Sequence, residues 1–185
     1  MSIDLDTPQR ASIPADTAMH VAAHAGEPPF FAVSLVKLTV MSVCTAGFYE
    51  LYWYYRNWQR IRQREGSHIM PFWRAFFSLF FCYSCFARIR DYGKETGMPM
   101  RVPAALLAAG WTVTTMLWKL PDPYWWASSL AVVFLLPAQA QANRLNAIAC
   151  PGHQRNARLS AWNWLVVALG GSFTVLALIG TFVPE

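Results

Sequence analysis

The stretch AWNWLVVALGGSFTVLALIGTFV, residues 161–183, contains no charged side chain and is opened by two tryptophans. An α-helix rises about 1.5 Å per residue, so this stretch is long enough to cross a hydrocarbon core of about 30 Å. Tryptophans at the start of such a helix are typical of the membrane–water interface. The stretch therefore predicts a membrane-spanning helix.

The composition of the whole chain points the same way. Of its 185 residues, 55% are hydrophobic and only 14% are charged, and the mean hydropathy is +0.26. A soluble domain usually carries about a quarter charged residues. These values exclude a cytosolic enzyme domain, and an aromatic content of 15% excludes a disordered chain. They predict an integral membrane protein.

Further apolar stretches divide the chain into a tail and one membrane domain. The predicted spans are residues 30–55, 103–120, 124–142 and 161–183. The apolar part of residues 71–89 is short and contains Arg74, which favours a re-entrant or interfacial helix. Residues 1–29 are polar and acidic, which predicts a mobile N-terminal tail before a membrane domain of residues 30–185.

The distribution of Lys and Arg decides between four spans and five, because cytoplasmic loops are enriched in these residues. With four spans, both termini are periplasmic, and every Lys and Arg except Arg10, Lys37 and Lys119 falls on the cytoplasmic side. If residues 71–89 also cross, more of these charges lie outside than inside. We therefore expect an all-α integral membrane protein with four transmembrane helices, and with 71–89 as a re-entrant or interfacial helix.

The run MSVCTAGFYELYWYYRNW, residues 41–58, carries a Thr-x-Gly-x-Tyr-x-x-Tyr-Trp pattern. It resembles a family of small bacterial inner-membrane proteins of unknown function, which have this signature at the cytoplasmic end of their first helix. The continuation PFWRAFF, residues 71–77, resembles the same group. The resemblance implies a multi-pass protein of the bacterial inner membrane, and it implies no activity or catalytic residues.

Glu50 is the one acid within an apolar segment, and such residues are costly to bury in a membrane. The aromatic residues around it predict a position at headgroup level. Its carboxylate could bind a proton, a cation or a lipid headgroup. Alternatively, it forms a structural ion pair with Arg74 or Arg144.

A second polar feature lies in the fourth apolar stretch. Gln139, Asn143 and Asn146 have the spacing i, i+4 and i+7, which places them on one helix face, next to a bend expected at Pro137. This face could line a polar cleft. It could equally form hydrogen bonds between helices, as polar side chains commonly do in membrane bundles.

Two basic loops, residues 56–101 and 143–160, predict a surface that attracts anionic lipid headgroups. The candidate headgroup or partner contacts are Arg56, Arg60, Arg62, Arg64, Arg88 and Arg90. No motif for nucleic acid, phosphate binding or nucleophilic catalysis is present, and Cys82 and Cys85 lack further ligands for a metal. We expect no cofactor, no metal and no nucleic-acid partner.

These features favour a small inner-membrane accessory or scaffold protein rather than an enzyme. It would bind a partner protein or anionic lipid through its basic cytoplasmic loops. The alternative is a small transporter or channel that uses Glu50 and the polar face of the fourth apolar stretch. Because four spans are few for a monomeric transporter, that alternative requires a homo-oligomer.

Overall fold

The computed structural model of the protein describes residues 27–182. Within this range the chain is helical, with no β-strand, which confirms the all-α class. The α-helices are α1 (Leu35–Cys44), α2 (Phe48–Glu65), α3 (Pro71–Phe76), α4 (Ser78–Glu95), α5 (Ala104–Met116), α6 (Val132–Ala149) and α7 (Ala161–Phe182). Two 3₁₀ segments, Leu117–Lys119 and Tyr124–Ala131, connect α5 to α6. Most of the predicted tail and both chain termini lie outside the described residues.

A tight turn between α1 and α2 interrupts the first predicted span. Ala46 and Gly47 have positive φ angles of 47° and 88°, and glycine adopts such a conformation at little cost. Thr45 joins the two helices, because its hydroxyl donates to Met41 O at 2.7 Å and accepts the N–H of Tyr49 at 2.9 Å. The Thr-x-Gly part of the sequence pattern therefore forms this turn.

Because the turn reverses the chain, α1 and α2 form a hairpin. The guanidinium carbon of Arg64, near the end of α2, lies 4.8 Å from the ring centre of Phe30, which precedes α1. Both arms of the hairpin therefore meet at the same end of the molecule. The expectation of one continuous helix over residues 30–55 is wrong, since hydropathy alone does not register the turn.

Residues 71–89 form a second hairpin, with a break at Phe77 between α3 and α4. Pro71 lies in the first turn of α3, where its missing N–H costs nothing. Helix α3 then runs along α2. Its Arg74 lies against the ring of Trp58 of α2, and Phe76 at its C-terminal end lies near the α1–α2 turn. Helix α4 returns, so that the ring of Tyr92 lies 4.7 Å from the Arg64 guanidinium carbon.

The remaining helices connect the two ends of the molecule. Helix α5 brings Trp111 to Glu50 near the α1–α2 turn. Helix α6 runs the other way and brings Asn146 to Phe30. Helix α7 lies alongside α1, with Gly170 against the main-chain carbonyl of Cys44.

The molecule thus has two halves of different chemistry. The basic half contains the segment 27–33, the C-terminal parts of α2, α4 and α6, and the loop 150–160. The turn half contains both hairpin turns, the segment 117–131 and the C-terminal part of α7. Of the Lys and Arg residues that the structure describes, most lie on these segments of the basic half. Lys37 of α1 and Arg74 of α3 reach this half through their side chains, since Lys37 Nζ donates to Asn156 Oδ1 and Arg158 O and the Arg74 guanidinium lies against the ring of Trp58. Arg101 and Lys119 lie on other segments.

Aromatic side chains of α2 fill the core between the helices. Trp53, Tyr54 and Trp58 are fully buried, and Tyr54 packs edge-on against Trp111 with 5.0 Å between ring centroids. A position at headgroup level stays a prediction for the aromatic run around Glu50, but most of its members do not face outward. Packing against α4, α5 and α6, which the sequence does not reveal, buries them instead.

Within residues 27–182, α7 is the one helix that is long and apolar enough to cross a membrane, and its apolar window is wholly unburied. Helix α1 is apolar but has only 10 residues. The predicted spans 103–120 and 124–142 each combine an α-helix with 3₁₀ turns. The structure therefore indicates membrane association through one candidate span, and it does not support four transmembrane α-helices.

Close packing of α7 on α1 predicts opposite effects for two glycine substitutions in one helix. A Cβ at Gly170 would collide with the Cys44 carbonyl, whereas a Cβ at Gly180 has no atom within 4 Å. Alanine favours a helix by about 1 kcal/mol over glycine. We expect Gly170→Ala to lower the free energy of unfolding by about 1–3 kcal/mol and Gly180→Ala to preserve or raise it, as measured by unfolding in mixed SDS micelles. Equal effects of the two would contradict the described helix contact.

Candidate functional site

A cavity of about 530 Å³ lies in the turn half, where the two hairpin turns meet α5, the 124–131 segment and α7. Its apolar walls include Phe76, Trp111, Trp118, Trp125, Trp126 and Phe173. Its polar lining includes Ser42, Glu50, Ser78, Thr115, Ser128 and Thr174. Among the described lining residues none is Lys, Arg or His, so Glu50 is the only lining group of this set that can carry a full charge near neutral pH.

Glu50 is buried in the wall of this cavity, with 4% of its surface exposed. Its Oε2 accepts a hydrogen bond from Trp111 Nε1 at 2.6 Å. Neither ion pair considered for it is present among the described residues: the guanidinium carbon of Arg74 instead lies 4.6 Å from the ring centre of Trp58, and Arg144 is exposed in the basic half. The carboxylate is therefore held by a neutral donor.

Gln139 uses its side chain to hold the chain's own backbone. Its Nε2 lies 3.0 Å from Phe31 O, 3.2 Å from Val33 O and 2.7 Å from Asn143 Oδ1. Its Oε1 accepts a hydrogen bond from Trp53 Nε1 at 2.5 Å. Asn143 Nδ2 also donates to Val33 O at 2.9 Å. These groups face the extended segment 30–33 rather than an open cleft.

Two further amides complete the grip on this segment. Asn146 accepts from Phe30 N at 2.9 Å and donates to Phe30 O at 3.0 Å. Asn57 accepts from Phe31 N at 3.2 Å and donates to Trp53 O at 3.0 Å. We call Asn57, Gln139, Asn143 and Asn146 the amide clamp. The helical spacing of the sequence predicts that three of them share one face, but it does not identify Asn57. The feature that could have identified Asn57 is the presence of an amide within an aromatic run.

The amide clamp satisfies backbone groups that would otherwise be buried without partners. An extended segment has no internal hydrogen bonds, and each unsatisfied buried group costs about 1–3 kcal/mol. The side chains of the predicted polar face thus bind backbone groups of the protein itself. Of the two interpretations, hydrogen bonding between helices is closer to the observed contacts than a polar cleft. Helix α6 continues through Pro137 without interruption.

Most arginines predicted to contact headgroups have partners within the molecule. Arg60 pairs with Glu27, and Arg88 pairs with Glu65. Arg64 also contacts Glu65, with Nη2 3.0 Å from Oε1.

The last of these pairs is formed by two neighbours on α4. Arg90 Nε lies 2.8 Å from Asp91 Oδ1. This hydrogen bond holds the pKa of the Asp91 carboxyl below its usual value. The charge of Arg90 is therefore partly neutralised by the neighbouring Asp91 carboxylate.

Two members of the predicted contact set differ from the others. Arg56 donates to Gln59 Oε1 at 3.0 Å and lies against the ring of Phe31, with 5.6 Å between guanidinium carbon and ring centre. Arg62 is exposed and has no hydrogen bond, ion pair or ring contact among residues 27–182. Arg62 is therefore the member most available to an external anion.

No family model, no curated protein and no solved structure matches this chain. Within residues 27–182, no three His, Cys, Asp or Glu side chains come together as metal ligands would. The cavity around Glu50 and the surface of the basic half are thus the two places where the geometry offers a function.

The amide clamp predicts a large effect of Asn146→Ala. The substitution removes both hydrogen bonds to the Phe30 backbone in a fully buried place. We expect the free energy of unfolding in detergent to fall by about 2–4 kcal/mol, because two buried backbone groups lose their partners. Gln63→Ala removes an exposed amide on α2 and serves as the control, with an expected change below about 0.5 kcal/mol. A similarly small change for Asn146→Ala would show that the segment is held in another way.

Proposed function

We propose that the protein is a small, non-enzymatic accessory or scaffold protein of the bacterial inner membrane, which binds anionic lipid headgroups or a partner protein through its basic half. The supporting observation is that most described Lys and Arg residues lie in this half or reach it through their side chains, whereas Lys119 lies in the turn half. Anionic lipids attract each such charge by about 1 kcal/mol near the membrane surface. The resemblance of residues 41–58 to inner-membrane proteins agrees with this location.

The arrangement of α7 supports a particular orientation. Trp162 and Trp164, exposed at its N-terminal end, suit a headgroup belt, and Arg155 and Arg158 precede them in the basic half. By the preference of Lys and Arg for the cytoplasm, we place the basic half on the cytoplasmic side. Phe182 then lies towards the periplasm.

A multi-pass topology follows if the other segments are placed around α7. Residues 104–119 and 124–149 connect the two halves and would cross with it. The α1–α2 and α3–α4 hairpins would enter the membrane from the cytoplasmic side and return to it. Glu27 lies in the basic half, so in this proposal the chain enters from the cytoplasm, which replaces the expectation of two periplasmic termini.

The outer surface of the α3–α4 hairpin suits contact with the interior of the membrane. Phe72, Trp73, Phe76 and Phe80 are each more than half exposed. Exposed aromatic patches of this kind mark surfaces that contact lipid or a partner. This supports the re-entrant or interfacial position proposed for residues 71–89.

A second candidate function is a small oligomeric transporter or channel. The cavity that contains Glu50 favours it, because a buried carboxylate inside a membrane protein is often part of a substrate path. The amide clamp gives it no support, since those side chains already bind the backbone. We therefore keep the accessory role as the main proposal.

The proposal predicts that Arg62→Gln weakens binding of phosphatidylglycerol. We expect about a fivefold loss, because one free charge is removed from the headgroup surface. Lys119→Gln is the matched control, since it removes the same charge from the other half and should leave lipid binding unchanged. The measurement is native mass spectrometry of the detergent-solubilised protein titrated with phosphatidylglycerol and phosphatidylcholine. Equal losses for the two variants, or no preference for the anionic lipid, would contradict the proposal, and copurifying proteins would identify a partner.

A further inference from the structure

The cavity in the turn half combines an acidic group with walls that have no basic group. Glu50 lies in a largely aromatic surface, and none of the described lining residues is Lys, Arg or His. A buried carboxylate is costly unless a positive charge or several donors accompany it. Among residues 27–182 the carboxylate accepts a hydrogen bond from one donor, Trp111 Nε1, so a positive charge supplied by a ligand would complete the site.

Two hydroxyl groups of residues that line the same cavity have no partner in the described part of the chain. Ser42 Oγ and Thr115 Oγ1 are buried, with no hydrogen bond to any of residues 27–182. Buried polar groups in native proteins are nearly always satisfied. These hydroxyls are the groups of the described lining that a polar group of a ligand would satisfy.

The aromatic walls are suited to a particular kind of cation. Trp111, Trp118, Trp125 and Trp126 present indole rings to the cavity. Indole faces attract cations, and organic ammonium ions with alkyl or aromatic groups gain both this attraction and apolar contact. A small hydrated metal ion would gain little from such walls, and among the described lining residues it would find one carboxylate, that of Glu50.

The surface that borders the cavity favours apolar molecules. Phe48, Phe76 and Phe173 line the cavity and are 74%, 61% and 71% exposed. Exposed apolar side chains, one of them on α7, therefore border the cavity. A ligand that arrives past them must partition into a hydrocarbon environment.

We propose that the cavity binds a lipophilic organic cation, an ammonium ion carrying alkyl or aromatic groups, with its charge beside Glu50 and its apolar body against the tryptophans. The proposal is independent of headgroup binding at the basic half. It assigns to Glu50 a ligand-binding role that needs no chemical reaction. The site holds one such ion per chain.

The test compares a phenylalkyl trimethylammonium ion with its uncharged tert-butyl isostere. Isothermal titration of the full chain in phosphatidylcholine nanodiscs, with empty nanodiscs subtracted, measures both affinities. We expect saturable binding of one cation per chain, at least about tenfold tighter than the isostere, because only the cation pairs with the carboxylate. Equal affinities of cation and isostere, or no saturable binding, would overturn the proposal.

Three variants locate the binding site. Glu50→Gln keeps the size of the side chain and should weaken the cation about tenfold or more while leaving the isostere unchanged. Glu95→Gln removes an exposed acid of α4 and should change neither. Thr115→Phe keeps Glu50 but places a larger side chain in the lining of the cavity, and it should weaken binding of both ligands, so the location stays testable if Glu50→Gln does not fold. Unchanged cation affinity in a folded Glu50→Gln or Thr115→Phe protein would overturn the assignment.

Discussion

The hydrogen bonds between the amide clamp and the backbone of segment 30–33 are the interaction on which the packing of the helices depends. They tie the chain before α1 to α6 through Gln139, Asn143 and Asn146, and to α2 through Asn57. Since the start of α1 is fixed beside the end of α2, the chain between them must reverse its direction. The hairpin turn at Thr45–Gly47 provides this reversal.

The hairpin also separates the arginines of the basic half from the carboxylate of Glu50 in the turn half. Its open end brings arginines of α2 near those of α4, where Arg60 and Arg88 pair with acids and Arg64 lies against aromatic rings. Its closed end contributes Ser42, Phe48 and Glu50 to the cavity. A surface suited to anionic headgroups and a cavity suited to a cation therefore lie in opposite halves, which keeps the carboxylate away from the arginines that would neutralise it.

Some of this was predictable from the sequence, for identifiable reasons. The helix that begins at Ala161 was predicted because an uncharged apolar run needs only length to be recognised. The common face of Gln139, Asn143 and Asn146 followed from the helical period. Their partner did not, because an extended backbone segment more than 100 residues away leaves no periodic signal. The hairpin was missed because residues 30–55 are largely apolar, and hydropathy does not distinguish one long helix from two short ones joined by Thr45 and Gly47.

The same limit applies to Glu50. Its isolation within an apolar segment marked it as a candidate, but the sequence suggested arginine partners and a headgroup position. Tertiary packing instead places it against Trp111, with the nearest arginines of α2 and α3 turned towards other rings. Which side chains surround an acid is decided by how helices pack, and the chain reveals that only once folded.

The hairpin of residues 30–65 is the central claim, and the sidedness of its two ends tests it most directly. In a variant whose four native cysteines are replaced by alanine, single cysteines at Glu27 and at Arg62 are labelled with a membrane-impermeant maleimide from either face of oriented membrane vesicles. A hairpin predicts that both positions react from the same face, the cytoplasmic one. Reaction from opposite faces would show that residues 30–55 cross the membrane once, and would contradict the hairpin.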